Sequence, residues 1–193
     1  MDVKDLQKEL FCPTIQGTEN LIEAVLKAPR IEKVIFIASV AAYNTNFPFL
    51  PKGKTEEDQI TENDPPFMSE EGIPYAQAKF IANQTVNTFI AANPNLSFDI
   101  TSVSPPGVMG KSLSNRQDST STGIQFLFKN KIAPNPFIQM IYDIDVLWAL
   151  VDVEDVADAI YKTATTKNIH GKNYLLSTES YMVSDVTLML NNQ

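Results

Sequence analysis

At 193 residues, 44% hydrophobic and 20% charged, the chain has the composition of a folded globular protein, with room for one domain and part of another. A net charge of −8 without a basic cluster excludes nucleic acid and anionic membrane as expected partners, and no apolar run is long enough to span a bilayer. One cysteine excludes an internal disulfide and fits a reducing compartment, most simply the cytosol, and with a single histidine beside it a zinc site is not expected.

Residues 1–10 alternate acids and lysines, without the apolar core of a secretory signal. Val3, Leu6, Leu10 and Phe11 recur at helical spacing, and Pro13 is expected to kink or interrupt the helix beyond them. A helical pattern resumes at Gly17 and places Leu21, Ala24 and Val25 on one side. Lys33-Val-Ile-Phe-Ile-Ala38 holds five consecutive apolar residues, which predicts a strand buried on both faces of a parallel sheet. Ser39 then lies at the carboxyl end of that strand, where ligands of open α/β sheets bind. Residues 44–74 carry five prolines and acids such as Glu56, Glu57 and Asp58, and they read as a long surface excursion.

Pro74 suits the first position of a helix that runs to about Asn93, with Asn93-Pro94 ending it. Ala78, Ala82, Thr85, Val86 and Phe89 fall on its inner face, and Phe80 lies opposite them. Tyr75 and Lys79, four apart, project from the edge of that face toward the same neighbour. A phenol beside an ammonium is a plausible proton-transfer pair. Bringing a phenol pKa from about 10 to near 7 takes roughly 4 kcal/mol. One cation about 4 Å away at an effective dielectric near 20 supplies about that much.

Phe98 to Val103 is the next strand, closed by the turn Ser104-Pro-Pro-Gly-Val-Met-Gly110. This order of strand, loop, helix and strand is the rhythm of a doubly wound sheet. Residues 112–122 are polar and residues 123–128 read as a helix, while 145–153 are a third apolar run. Glu154 and Asp155 open a helix in the first turn, where acids favour the dipole. His170 and Gly171 mark a turn, Asn173 to Ser177 a short strand, and Ser184 a helix cap.

Together Gly17-Thr-x-Asn20, Ala38-Ser-Val-Ala-Ala42, Tyr75-x-x-x-Lys79, Pro105-Pro-Gly-Val-Met-Gly110 and Val151-Asp-Val-Glu-Asp-Val-Ala157 form one pattern, in order, across nearly the whole chain. In this the chain resembles the extended short-chain dehydrogenase/reductases, also known as the NAD-dependent epimerase/dehydratase family. Its likeness is to the dihydroflavonol-reductase-like branch that includes fungal-type carbonyl (methylglyoxal-type) reductases. The resemblance implies an α/β fold, a partial doubly wound, Rossmann-like parallel sheet with part of a smaller substrate lobe. Residues 1–110 would belong to the cofactor-binding domain, and 111–193 to the lobe interleaved with late Rossmann elements. It implies that Ser39 holds a substrate carbonyl, Tyr75 passes the proton, and Lys79 lowers the tyrosine pKa and binds the nicotinamide ribose. Pro105 and Val108 would line the nicotinamide pocket, and Ser121 would lie near the cofactor phosphates. The implied partners are NADP, favoured over NAD, a small-molecule carbonyl substrate, and a second copy paired through helix 75–93.

The chain departs from the family in holding no Gly-x-x-Gly-x-x-Gly turn to cradle a pyrophosphate, and with it lacks the ribose selector. It reads as beginning after two βαβ units and stopping inside a helix of the substrate lobe. Ala38 stands where many relatives have serine, and Lys111 where many have proline. An inactive remnant that works as a binding module is thus one alternative. A sugar-nucleotide epimerase or dehydratase is the other, although a dehydratase would need acids beside Ser39, where Val40-Ala41-Ala42 offers none.

Overall fold

The computed structural model describes residues 4–51, 53–55, 58–113 and 119–192. Val3, Glu56, Glu57 and the middle of the polar segment, 114–118, lie outside the described residues. Two compact units are present: Met1–Ser104 with Ile160–Leu175, and Pro105–Ala159 with Leu176–Gln193. No helix among the described residues is long and apolar enough to cross a membrane.

The first unit opens with a π-helical turn, Gln7–Phe11, that runs directly into helix α1, Cys12–Leu26. The sequence predicts a break at Pro13, but the helix continues through it. Proline lacks an N–H and its ring crowds the carbonyl four residues back, and the wide turn just upstream makes room for it. The buried face of α1 also differs from the expected one. Ile22 and Val25 are buried, while Leu21 and Ala24 face outward. The stripe is Thr18, Ile22, Val25, at the i, i+4, i+7 positions of one helical face.

Strand β1, Lys33–Ile37, pairs in parallel with β2, Asp99–Ser104, in a register from Lys33 opposite Asp99 to Ile37 opposite Val103. Helix α2, Pro74–Ala92, lies in the crossover between them, as the apolar runs and the Pro74 start predict. A third parallel strand, β5, Asn173–Leu175, pairs with β2 on the other side, giving the order β1-β2-β5. That order corrects one expectation. Because β1 stands at the edge of the described sheet, it is only half-buried and Ile37 is 47% exposed. The strand with a covered interior is β2, buried from Ile100 to Ser104. Around Ile100 gather Ile22, Val25, Val86 and Phe98, the apolar centre of the unit.

Polar bonds fix what packing alone does not. Lys33 Nζ donates to the Thr163 carbonyl at 3.0 Å and to that of Thr166, so a cation caps the last turn of α5, Val153–Thr165. At the turn expected around His170, the Ile100 N–H donates to His170 Nδ1 at 3.1 Å, and the Gly171 N–H donates to the Ile100 carbonyl at 2.8 Å. Gly171 has φ of 72°, a left-handed value that glycine adopts without strain.

The excursion 44–74 has little regular structure, yet its base is closed. Asn44 forms a bridge with Phe67, and the Ser69 N–H donates to Thr45 Oγ1 at 2.7 Å. Gly72 packs so tightly here that a Cβ would sit 2.5 Å from the Thr45 carbonyl oxygen. Farther out, Lys54 Nζ lies 2.7 Å from Asp64, whose other carboxylate oxygen accepts the Thr61 N–H at 2.8 Å. The Lys54 bond, then the Thr61 amide and hydroxyl, hold the Asp64 pKa down at about 2.

In the second unit β3, Gly107–Met109, pairs in parallel with β4, Leu147–Asp152, and β4 pairs antiparallel with β6, Glu179–Met182. Helices α3, Thr120–Asn130, and α6, Val183–Asn191, pack together. The ring of Phe128, fully buried, meets Trp148 edge-on at 5.3 Å. Helix α4, Pro136–Asp143, is an element the sequence reading does not include, although Asn135 caps it and Pro136 takes its first position. Ser184 does not cap α6, contrary to expectation. It lies inside the first turn, and Asp145 accepts both its N–H, at 2.8 Å, and its hydroxyl, at 2.7 Å. The cap comes from a distant segment, which spacing within the helix does not disclose.

Ile100→Ala should cost roughly 2–5 kcal/mol, because it removes a buried side chain from the apolar centre of the first unit. Ile37→Thr, at the half-exposed strand edge, should stay within about 0.5 kcal/mol of wild type. Urea midpoints of the two variants check the contrast. The Lys54–Asp64 hook gives a second expectation. A depressed carboxyl contributes stability above its unfolded value, and that contribution is lost as pH falls through the folded value. Carboxyl carbon NMR should therefore show Asp64 titrating at about 2, against an ordinary value of 3.8, and Lys54→Met should raise that midpoint.

Candidate active site

Ser39 follows the last residues of β1, where the Ala38 N–H still donates to the Val103 carbonyl at 2.9 Å. Its extended backbone caps a 3-10 turn, Val40–Ala42, and its Oγ accepts the Ala41 N–H at 3.2 Å. Accepting that bond fixes the oxygen and leaves the hydroxyl hydrogen to be donated. Ala42 is fully buried, and the turn packs against α2. The serine is thus set at a strand end and aimed by its own turn.

Tyr75 occupies the first turn of α2, behind Pro74, and is 48% exposed. Lys79, one turn on, is partly buried, with Nζ over the Tyr75 ring, 5.9 Å from its centroid. This is a cation–π contact through the ring face. Spacing alone places the ammonium beside the phenol oxygen, so the pair meets as expected but through a different surface. Burial pushes the Lys79 pKa down, since desolvation disfavours the charged amine. Between them, Gln77 Nε2 donates to the Ser69 and Glu70 carbonyls at 3.0 Å each, tying the end of the excursion to the helix.

The inner face of α2 buries Ala76, Ala78, Asn83 and Val86. Of the expected face, Ala78 and Val86 are buried while Ala82, Thr85 and Phe89 are only partly so, and a polar residue, Asn83, stands inside. Asn83 Oδ1 accepts a bond from Asn173 Nδ2 at 3.3 Å, and Asn173 Oδ1 accepts the Ser104 hydroxyl at 2.9 Å. Tyr43 is buried behind the 3-10 turn. Burial first, and then the Glu62 charge, push the Tyr43 pKa up, while the Asn173 amide acts the other way. Sequence reasoning misses Tyr43, Asn83 and Asn173. An asparagine one turn past Lys79 on a helix that is otherwise apolar inside is the available signal.

The remaining sequence-derived residues lie in the second unit. Pro105 is buried directly after β2, and Val108 is the middle residue of β3. Ser121, in the first turn of α3, donates its hydroxyl to the Val108 carbonyl, and Gln125 Nε2 donates to Ser121 Oγ at 3.1 Å. Val108 and Ser121 are thereby brought together. Ser39, Tyr75 and Lys79 all lie within the first unit.

A family model described as the NAD dependent epimerase/dehydratase family matches residues 5–177. Cinnamoyl-CoA reductase CAD2 of Medicago truncatula is 28% identical over 175 residues, which are 88% of this chain and 49% of that protein. Among solved structures, Gre2 of Candida albicans in complex with NADPH superposes with a TM-score of 0.78 at 23% identity, covering 100% of this chain and 57% of that one. The UDP-glucose 4-epimerase of Thermus thermophilus in complex with NAD gives 0.66 at 17% identity, covering 97% and 56%. The chain therefore spans about half the length of the relatives it matches, and the mixed α/β architecture is theirs.

Proposed function

Since the chain belongs to the NAD dependent epimerase/dehydratase family, we propose that it carries the carbonyl-activating half of an NAD(P)-dependent oxidoreductase that reduces aldehydes or ketones. The observation that carries this reading is Tyr75, exposed on the first turn of α2, with the Lys79 amine over its ring. The turn that orients Ser39 packs on the same helix. The cinnamoyl-CoA reductase and the NADPH complex of Gre2 support a reductase, and the latter favours NADP. An accessible phenol and a partly buried ammonium fit the nicotinamide-ribose end of such a cofactor. The sequence holds no glycine-rich amide cradle for its pyrophosphate.

When bound, a nicotinamide dinucleotide would supply the hydride for the carbonyl carbon. The Ser39 hydroxyl donates to the carbonyl oxygen and holds it, and the Tyr75 hydroxyl transfers its proton to that oxygen as negative charge develops there. The Lys79 ammonium stabilises the phenolate left behind and would hold the ribose of a bound cofactor. Pro105, Val108 and Ser121 would flank the cofactor, and pairing of two copies through α2 belongs to the same reading. The reading as an interaction module draws on one observation, the unpaired outer edge of β1 among the described residues.

In a polypeptide joining these 193 residues to a Gly-rich βαβ segment, Tyr75→Phe should lower carbonyl reduction by about 10²–10⁴-fold, the usual share of general acid catalysis. Cofactor affinity should hold, because only the proton donor is removed. Lys79→Ala should weaken both turnover and affinity. Stopped-flow turnover and cofactor titration check this, and a Tyr75→Phe enzyme near wild-type rate removes tyrosine from the mechanism. By itself the 193-residue chain should bind neither NADPH nor NADH at micromolar concentration. Fluorescence titration followed by an aldehyde assay tests that, and saturable binding with turnover would contradict it.

A further inference from the structure

The excursion is tied to the sheet at two separated points. Beside the Ser39 turn, the Phe67 N–H donates to the Tyr43 carbonyl at 2.9 Å and the Thr45 N–H to the Phe67 carbonyl at 3.1 Å. Farther out, Glu62 Oε1 accepts the N–H of Leu175, the last residue of β5, at 2.9 Å. The three strands run parallel, with Ile37 opposite Val103 and Ser104 opposite Leu175, so β1, β2 and β5 end at one pole. The ends of β1 and β5 lie two strand spacings apart there, about 10 Å. Phe67 follows Glu62 by five positions, a reach of up to about 16 Å, which is enough to cross that gap. Pro65 and Pro66 stiffen the crossing, because the ring fixes φ at each. Glu62 itself is presented by a clamped turn. The Asp64 N–H donates to the Thr61 carbonyl at 3.1 Å, and Asp64 Oδ2 accepts the Thr61 N–H at 2.8 Å and its hydroxyl at 3.0 Å. The other carboxylate oxygen, Oδ1, accepts a bond from Lys54 Nζ at 2.7 Å. Glu62 stands between the two clamped residues, so Lys54 and Asp64 together set where its carboxylate leaves the chain.

We propose that Glu62 is a positioning residue. Presented by the Lys54–Asp64 clamp, it latches the excursion across the carboxyl ends of the three strands and bounds the proposed site on its β5 side. That these strand ends carry the site rests on the reading of Ser39 and Tyr75 as reacting groups. A carboxylate suits the task because a charged acceptor holds a backbone N–H about twice as strongly as a neutral one. Its role is to place the segment, not to take part in proton transfer.

The test uses the isotope-labelled 193-residue chain and three variants in the outer excursion, Glu62→Ala, Glu62→Gln and Lys54→Met. Amide hydrogen exchange is read at Leu175, and nitrogen relaxation at Glu62, Asn63 and Asp64. Glu62→Ala should speed exchange at Leu175 by about tenfold. It should also lower the order parameters at the three turn residues from about 0.85 toward about 0.6. Glu62→Gln keeps an oxygen acceptor and should fall between the alanine variant and wild type in both readings. Lys54→Met leaves Glu62 in place, yet it too should speed exchange at Leu175, because the turn that presents the carboxylate has lost its clamp. In all three variants the amides of Phe67, which holds the base, and Gly171, which holds the start of β5, should keep their protection. Wild-type exchange at Leu175 in Glu62→Ala overturns the proposal, as does faster exchange there with unchanged order parameters. A Glu62→Gln variant that matches alanine also overturns it, since the carboxylate would then act by its charge and not through this bond. So does a Lys54→Met variant with Leu175 at its wild-type rate. Lost protection at Phe67 rejects the latch as well, by making Glu62 a support of the whole excursion. None of the readouts uses turnover, so an active Tyr75→Phe enzyme would unseat the catalytic assignment while leaving the measured latch in place.

Discussion

Parallel pairing of β1 with β2 is the constraint on which the first unit depends. Two parallel strands have their matching ends at opposite poles of the connection, so the chain must travel back before the second can begin. A 19-residue helix covers about 28 Å, more than the roughly 20 Å of a six-residue strand, and makes that return. The start of α2 therefore lies at the pole where β1 ends. Ser39 leaves β1 there and Tyr75 enters α2 there. What remains is a connection between the two, and residues 44–72 supply it as an excursion rather than as a tight turn.

Three lysines show how differently this unit accommodates a cation. Lys33 is spent on helix-end carbonyls, and Lys54 on a carboxylate at 2.7 Å. Lys79 has the face of a phenol, and burial is the influence that moves its pKa. The first two are stabilised by full or partial negative charges. A ring quadrupole compensates a desolvated ammonium less completely than an oxygen does. An ammonium in that state gains most from any oxygen that comes to carry negative charge nearby, which is what the proton transfer proposed for Tyr75 would produce. The same incompleteness that makes the residue a poor stabiliser of the resting fold would suit it to the proposed role.

The strands at 33–37 and 99–104, the bounds of α2 and the place of Ser39 are legible because each rests on local signals, apolar runs and prolines at element ends. The exposure of β1 is not legible, since an apolar run gives the strand but not its place in the sheet order. Periodicity misassigns Leu21 and Ala24 on α1 because stripes one residue apart fit a short helix almost equally well. The Asp145 cap and the Asn173 bonds join residues 39 to 90 positions apart, a distance at which no periodicity operates. Resemblance supplies the roles of Ser39, Tyr75 and Lys79, while the structure supplies the groups that orient them.

The excursion between Ser39 and Tyr75 is held by two kinds of bond, and the division has a consequence for the chemistry. Its base is closed by neutral hydrogen bonds, Thr45 Oγ1 to the Ser69 amide and Gln77 to the Ser69 and Glu70 carbonyls, with Gly72 packed against Thr45. Its outer part is held by charged groups, Lys54 on Asp64 and the Glu62 carboxylate on the Leu175 amide. Neutral bonds at the base are indifferent to salt and to acid, whereas bonds that rest on a charge are weakened by one and neutralised by the other. The base is also the part that leads into Pro74 and so sets where Tyr75 begins. Changes in the outer residues can then leave the start of α2, and with it the phenol, in place. Under the proposed reading, the outer loop and the proton donor are held by separate physical means within one segment.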